Sequence, residues 1–121
     1  MRLGELHAAV ADLLARHAVG AAAVEAWFVH PVSRSAMGLA EARGAILAAL
    51  AAARVPVEEY APNAVKQAVT GQGGAPKEQV RAMVARLVGA DPGSHHAADA
   101  LATAICHASA APLRGSIRRA R

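Results

Sequence analysis

The sequence has few cysteines, aromatic residues and lysines, and each scarcity narrows the class of protein. A single cysteine, Cys106, excludes an internal disulfide and predicts a reducing, cytoplasmic location. We find no uninterrupted apolar run of about 18 residues and no signal-like N-terminus, so neither a membrane span nor export is expected. Aromatic residues make up 2% of the chain against 34 alanines in 121 residues, which predicts a thin, helix-rich core.

The charge balance is basic, with a net charge of +4. A basic chain of this size is compatible with a nucleic-acid partner, and equally with solubility alone. Only two of the thirteen basic residues are lysines, Lys66 and Lys77, and both fall in one stretch of the chain. The high arginine and alanine content is also typical of codon bias, so the arginine count by itself indicates nothing.

The hydrophobic pattern predicts an α/β fold with the order helix, strand, helix, strand and three further helices. The predicted helices cover 2–17, 37–53, 62–71, 77–88 and 94–110, and the predicted strands cover 21–28 and 55–61. Residues 1–110 would form one domain, followed by a basic, disordered tail at 111–121. Two strands make a poor sheet, so part of the sheet is expected to be missing from this chain.

Two potential sites for chemistry stand out. His96 and Asp99 share one face at the start of the last helix, with His95 close by, and Glu25 is a carboxylate inside an apolar strand. Together they predict an oxygen-rich Mg²⁺ or Mn²⁺ cluster of the kind used for phosphodiester cleavage. His107 lies roughly 16 Å further along the helix and is expected to be a satisfied core or surface histidine instead.

Simpler interpretations remain open at this point. His96 and Asp99 could serve only to cap and solvate a helix start, since the His-x-x-Asp pattern is common by chance. Glu25 could reach water at the end of its strand. Either lysine, taken alone, could be an ordinary solvated residue.

Three segments, in order along the chain, resemble the RuvC family of Holliday junction resolvases. They are VEAWFVHPVSRSAMGLAEARG, EYAPNAVKQAVTGQGGAPKEQVRAMV and HHAADALATAICHA, within a resemblance that covers residues 2–110. It implies an RNase H-like (ribonuclease H-like) fold, N-terminally truncated, with two remaining parallel strands flanked by helices. It also implies a cytoplasmic, metal-dependent endonuclease that makes symmetric nicks in four-way DNA junctions during homologous recombination and DNA repair.

The resemblance assigns roles to individual residues. Glu25, His96 and Asp99 fall on catalytic and metal-binding positions, which implies two Mg²⁺ ions per subunit, or Mn²⁺ in their place. His96 could be a metal ligand or a general acid or base. The DNA-binding positions are Phe28, Lys66 and Lys77, and the implied partners are a second copy of the chain and the branch-migration helicase complex of RuvA and RuvB.

The chain also departs from the family pattern. The family begins with a three-stranded meander whose first strand ends in Asp-Pro-Gly and supplies a further catalytic aspartate, whereas this chain starts near the family's first helix. The Asp-Pro-Gly at 91–93 has no strand before it and is interpreted as a coincidence. We expect the 121 residues alone to be inactive and Met1 to be a wrongly assigned start. The alternative is a noncatalytic remnant that binds DNA or a partner.

For assembly, the helix at 37–53 is the candidate dimer interface, with internal packing as an equally weighted alternative. Its small residues permit close approach of a second helix. They are Gly38, Gly44, Ala45, Ala48 and Ala49.

Overall fold

The computed structural model describes the backbone of residues 2–26 and 34–119, with side chains described up to residue 110. Within these described residues, five helices and two strands follow the predicted order. The helices are α1 (Leu3–Arg16), α2 (Arg34–Ala52), α3 (Pro62–Thr70), α4 (Lys77–Val88) and α5 (His95–Arg119), and the strands are β1 (Ala22–Glu25) and β2 (Val57–Tyr60).

The two strands pair in parallel. The Ala22 amide donates to the Pro56 carbonyl at 2.9 Å, and the Ala26 amide donates to the Tyr60 carbonyl at 2.7 Å. Both bonds join residues with the same sequence offset, which is the pattern of a parallel ladder. The α/β class and the two parallel strands are therefore confirmed. β2 is shorter than the sequence predicted, β1 ends at Glu25, and residues 27–28 of the predicted first strand lie outside the described residues.

The chain divides into two compact units. The first comprises residues 1–22 and 27–58, and within it α1 packs against α2. Ala49 and Leu50 of α2 and Val55 after it are buried there. Since Ala49 serves this internal packing, one of the small residues proposed for an interface is already used.

The second unit comprises residues 23–26 and 59–121, and its three helices pack on one another. Its core is built from small and β-branched side chains, as the alanine-rich composition predicted, and Val84 is fully buried. Proline and glycine set the helix boundaries: α3 starts at Pro62, and Gly71 ends it in the left-handed conformation with φ of 80°. The core members are Tyr60, Val65, Val69, Ala75, Val80, Val84, Ala102 and Cys106.

The end of α5 differs from the expectation. The helix was predicted to stop near Ala110 and to be followed by a disordered tail at 111–121, but the backbone stays helical to Arg119. Leucine and arginine in this segment favour helix, whereas Pro112 and Gly115 disfavour it, so local propensity alone does not account for the extension.

Among the described residues, α2 is the one helix that is long and apolar enough to cross a membrane by length and composition alone. It has 19 residues and a mean hydropathy of 1.3. The core helix of a soluble protein passes the same test, so the indication is weak. The absence of a membrane partner therefore stays a prediction.

Candidate catalytic cleft

Glu25 and Asp99, two of the three ligands expected from the sequence, line the same cleft in the second unit. Glu25 is the last residue of β1, and Asp99 lies in the second turn of α5. The cleft has a volume of about 290 Å³. We call it the Glu25–Asp99 cleft; its other lining residues are Pro62, Val65, Lys66, Lys77, Val80, Ala102 and Thr103.

Both lysines of the chain line this cleft as well. Lys66 comes from α3 and is half-buried, whereas Lys77 is the exposed first residue of α4. Neither ammonium group forms an ion pair within the described part of the chain. The cleft therefore combines two carboxylates with two cations that remain available to an anionic ligand.

The Asp99 carboxylate is exposed and makes no hydrogen bond or ion pair to the residues that the structure describes. Its backbone carbonyl accepts a hydrogen bond of 2.9 Å from the Thr103 hydroxyl, one turn further along α5. Thr103 is buried, with 5% of its surface exposed, and it lines the cleft beside Asp99. No role for Thr103 was predicted, because a threonine inside an alanine-rich helix has no distinctive pattern.

His96 is exposed and is not among the residues that line the cleft. On α5 the lining begins at Asp99 and continues to Ala102 and Thr103, so His96 lies one turn towards the N-terminus. Among the described residues, no group of three His, Cys, Asp or Glu side chains is close enough to hold a metal ion. The structure thus brings Glu25 and Asp99 together but does not bring His96 to them. Phe28 lies outside the described residues.

The two carboxylates fit a hard divalent cation. Mg²⁺ binds through one or two protein carboxylates, and waters and substrate phosphate oxygens complete its octahedron. The lysines would then face the phosphate, since ammonium groups act as point charges on phosphate oxygens. The donor set contains no thiolate, which disfavours the softer metals.

A short loop fixes the start of α5. Asp91 accepts a hydrogen bond of 2.9 Å from the Gly93 amide and contacts the Arg81 guanidinium of α4 at 3.3 Å. The Gly93 hydrogen bond first, and Arg81 second, hold the pKa of Asp91 below its ordinary value. The Ser94 hydroxyl then caps the helix by accepting from the Ala97 amide at 3.1 Å. The Asp-Pro-Gly segment therefore has a structural role here.

His107 lies outside the cleft, as predicted, and is a satisfied histidine. Its Nδ1 is 2.6 Å from the Tyr60 hydroxyl, and the two rings meet edge to face at 5.7 Å. Tyr60 ends β2 and is 7% exposed. The sequence did not indicate this contact, because it joins residues 47 positions apart and no local periodicity relates them.

Comparison with known proteins shows what the chain resembles. The family model described as crossover junction endodeoxyribonuclease RuvC matches residues 1–107. A curated protein of that name from Moorella thermoacetica is 47% identical over 115 residues, which are 93% of this chain and 69% of that protein. Another, from Parvibaculum lavamentivorans, is 49% identical over 108 residues, which are 88% and 62% of the two chains.

Solved structures agree with this match. The Thermus thermophilus RuvC structure superposes with a TM-score of 0.82 at 42% identity, covering 92% of this chain and 68% of that one. The same protein in complex with Holliday junction substrate gives a TM-score of 0.85. The chain spans about two thirds of the length of these relatives. A match over nearly the whole chain in sequence and in fold places this protein in the RuvC family.

Proposed function

We propose that this chain forms the major part of a Holliday junction resolvase, a metal-dependent endonuclease that makes symmetric nicks in four-way DNA junctions. The observation that carries the proposal is the Glu25–Asp99 cleft, which combines two carboxylates with two lysines. Two features support the substrate class: the family membership, and the junction DNA held by the Thermus thermophilus relative. The proposal places the protein in the cytoplasm.

Each group in the cleft has a separate task. Glu25 and Asp99 would hold Mg²⁺, or Mn²⁺, with two ions per subunit once a further carboxylate completes the set. A metal ion held there would supply Lewis-acid activation of the attacking water and charge stabilisation at the leaving oxygen. Lys66 and Lys77 would neutralise the phosphate charge of a DNA strand that enters the cleft. Phe28 is a further proposed DNA-contacting residue.

His96 completes the proposed site either as a further metal ligand or as a general acid or base that moves a proton at the scissile phosphate. His96 lies one turn before Asp99 on α5. From there its imidazole could contact a substrate bound across the start of the helix in either role. The His96→Asp variant separates the general-acid role from the other two. A ligand or general-base role predicts that the variant keeps metal-dependent cleavage, whereas a general-acid role predicts a large loss near pH 7, because an ionised aspartate has no proton to donate.

Two symmetric nicks need two sites, so we propose a homodimer. The exposed small residues Gly38, Gly44 and Ala48 of α2 support a close helix contact with the second copy. RuvA and RuvB would supply branch migration beside this dimer. This assignment rests on the family alone.

The experiment compares residues 1–121 with a form extended upstream in frame, both on a synthetic four-way junction with Mg²⁺ and with Mn²⁺. The extended form is expected to make paired, metal-dependent nicks and to leave a linear duplex of the same sequence intact. Residues 1–121 alone are expected to show no cleavage, because Glu25 and Asp99 suffice for one Mg²⁺ and the second ion would lack a protein carboxylate. In the extended form, Asp99→Asn should abolish cleavage and leave junction binding nearly intact.

Two results would contradict the proposal. Equal loss of cleavage and binding in Asp99→Asn would show that Asp99 is structural. Junction binding without cleavage by every form would favour the alternative, a noncatalytic protein that binds DNA.

A further inference from the structure

The contact between Tyr60 and His107 connects α5, which carries Asp99, with β2, the strand that pairs with the Glu25 strand β1. Tyr60 is the last residue of β2, and His107 lies on α5. Their side chains meet at 2.6 Å, which is short for a hydrogen bond, and the edge-to-face ring packing adds a second contact. In one tautomer the phenol donates to Nδ1, and in the other the ring N–H donates to the phenolic oxygen.

On the strand side, Tyr60 is connected directly to the backbone that presents Glu25. Its carbonyl accepts the hydrogen bond of 2.7 Å from the amide of Ala26, the residue after Glu25. β1 has only four residues, and a two-stranded sheet is marginally stable by itself. The end of β1 therefore depends on where Tyr60 is held.

On the helix side, His107 follows Asp99 by two turns of α5, roughly 12 Å along the axis. The residue before it, Cys106, is buried, and its Sγ lies 3.8 Å from the Ala64 carbonyl of α3. This packing holds α5 against α3, so that the position of the strand end can be described relative to α5. Movement of Tyr60 relative to His107 would change the separation of Glu25 and Asp99.

We infer that Tyr60 and His107 are positioning residues that set the spacing of the Glu25 and Asp99 carboxylates for a divalent cation; this inference rests on the proposed function. Mg²⁺ requires oxygen ligands at about 2.0–2.1 Å in near-octahedral geometry, so small shifts in carboxylate spacing weaken its binding. Partners that orient metal ligands typically change metal affinity by 10- to 100-fold when they are removed.

The test uses the upstream-extended form and measures Mn²⁺ affinity by electron paramagnetic resonance, a readout that does not depend on cleavage. Tyr60→Phe removes only the hydroxyl, and His107→Leu removes the ring nitrogens. Each is expected to weaken Mn²⁺ binding about tenfold and to raise the Mn²⁺ concentration for half-maximal cleavage equally. The junction Kd in EDTA should stay unchanged. The double variant should be no weaker than either single variant, because both remove one interaction.

Two further variants separate positioning from general stabilisation. His107→Asn keeps a polar atom near the place of Nδ1 and is expected to restore Mn²⁺ affinity to within about twofold of the starting protein. Ser109→Ala removes a local hydrogen bond to the Ile105 carbonyl on the same helix and should change nothing in the metal titration. If Tyr60→Phe unfolds at the assay temperature, the Mn²⁺ affinities of His107→Leu and His107→Asn are compared instead.

The outcomes separate this inference from the proposed function. Suppose that the starting protein binds Mn²⁺ and cuts junctions, but that the variants lower only the Tm and leave Mn²⁺ affinity unchanged. That result would overturn the positioning role alone. Failure of the starting protein to bind Mn²⁺ or to cut would overturn the proposed function and this inference with it.

Discussion

Glu25 at the end of β1 and Asp99 in the second turn of α5 line one cleft, although the strand and the helix are far apart in the sequence. Lys66 and Lys77 reach the same cleft from α3 and α4. Four elements of the second unit therefore contribute charged groups to one place. Both lysines of this lysine-poor chain therefore lie beside the two carboxylates.

The first prediction concerns the lysines and phosphate. Lys66→Gln and Lys77→Gln should each weaken junction binding, because each removes a cation from the cleft, and the loss should not depend on DNA sequence. The slope of log affinity against log salt should fall by about 0.9 for each lysine. Titrations over a range of salt concentrations measure both. Arg86→Gln, which removes an exposed charge outside the cleft, should leave the slope unchanged; an equal change would assign the effect to net charge.

The second prediction concerns assembly. A Cβ at Gly44 would meet no atom within 4 Å, so Gly44→Arg fits the isolated chain and should act only on a partner helix. Sedimentation of the upstream-extended form at micromolar concentration should show a dimer, and Gly44→Arg should shift it to monomer. Gly4→Arg on α1 is the matched control and should remain dimeric. A monomer before any substitution would count against the homodimer.

The third prediction concerns the loop before α5. The pKa of Asp91 lies below its ordinary value in the folded chain, so the stabilisation is present at neutral pH and is lost as pH falls through that depressed pKa. Arg81→Gln should raise the pKa of Asp91 only partly, because the larger contribution, from the Gly93 amide, remains. NMR titration of the Asp91 carboxyl carbon measures this. Arg86→Gln serves as the control, and a full return to the ordinary pKa in Arg81→Gln would show that the loop geometry has little effect.

The fourth prediction concerns the core of the second unit. Val84 is fully buried, so Val84→Ala should lower the free energy of unfolding by about 2 kcal/mol, through lost burial and the cavity left behind. Leu87→Ala on the same helix removes a larger side chain that is 56% exposed, and its cost should stay within about 0.5 kcal/mol. Urea denaturation compares the two. A larger loss for Leu87→Ala would show that its exposed side is covered in solution.

Local patterns predicted the helices well. The spacing of apolar residues placed α4 at 77–88, and Pro62 and Gly71 marked the limits of α3. The same rules made both strands too long, because short apolar runs do not show where hydrogen bonding to a neighbouring strand stops. The helical backbone beyond Ala110 was not predicted, since the segment contains Pro112 and Gly115 and has few apolar residues to pack.

The sequence indicates only part of the arrangement at the candidate site, and the reason is physical. Helix periodicity showed correctly that His96 and Asp99 share a face, but it could not show that the cleft begins only at Asp99. That boundary depends on where the strand end meets α5. The contact between Tyr60 and His107 could not be predicted from local sequence patterns either, since it forms only in the folded chain. The expected DNA-binding role of Lys66 and Lys77 came from the resemblance to the family. Composition alone indicated only solvated residues.

The most direct test of the central claim is to locate the metal. In the upstream-extended form, substoichiometric Mn²⁺ should broaden the NMR signals of Glu25, Asp99 and Thr103 before others, because paramagnetic relaxation falls steeply with distance. Asp99→Asn should remove this broadening while junction binding persists. Broadening centred on His95 and Asp91 instead, or broadening at the cleft that is unchanged in Asp99→Asn, would contradict a metal-dependent catalytic site built on Glu25 and Asp99.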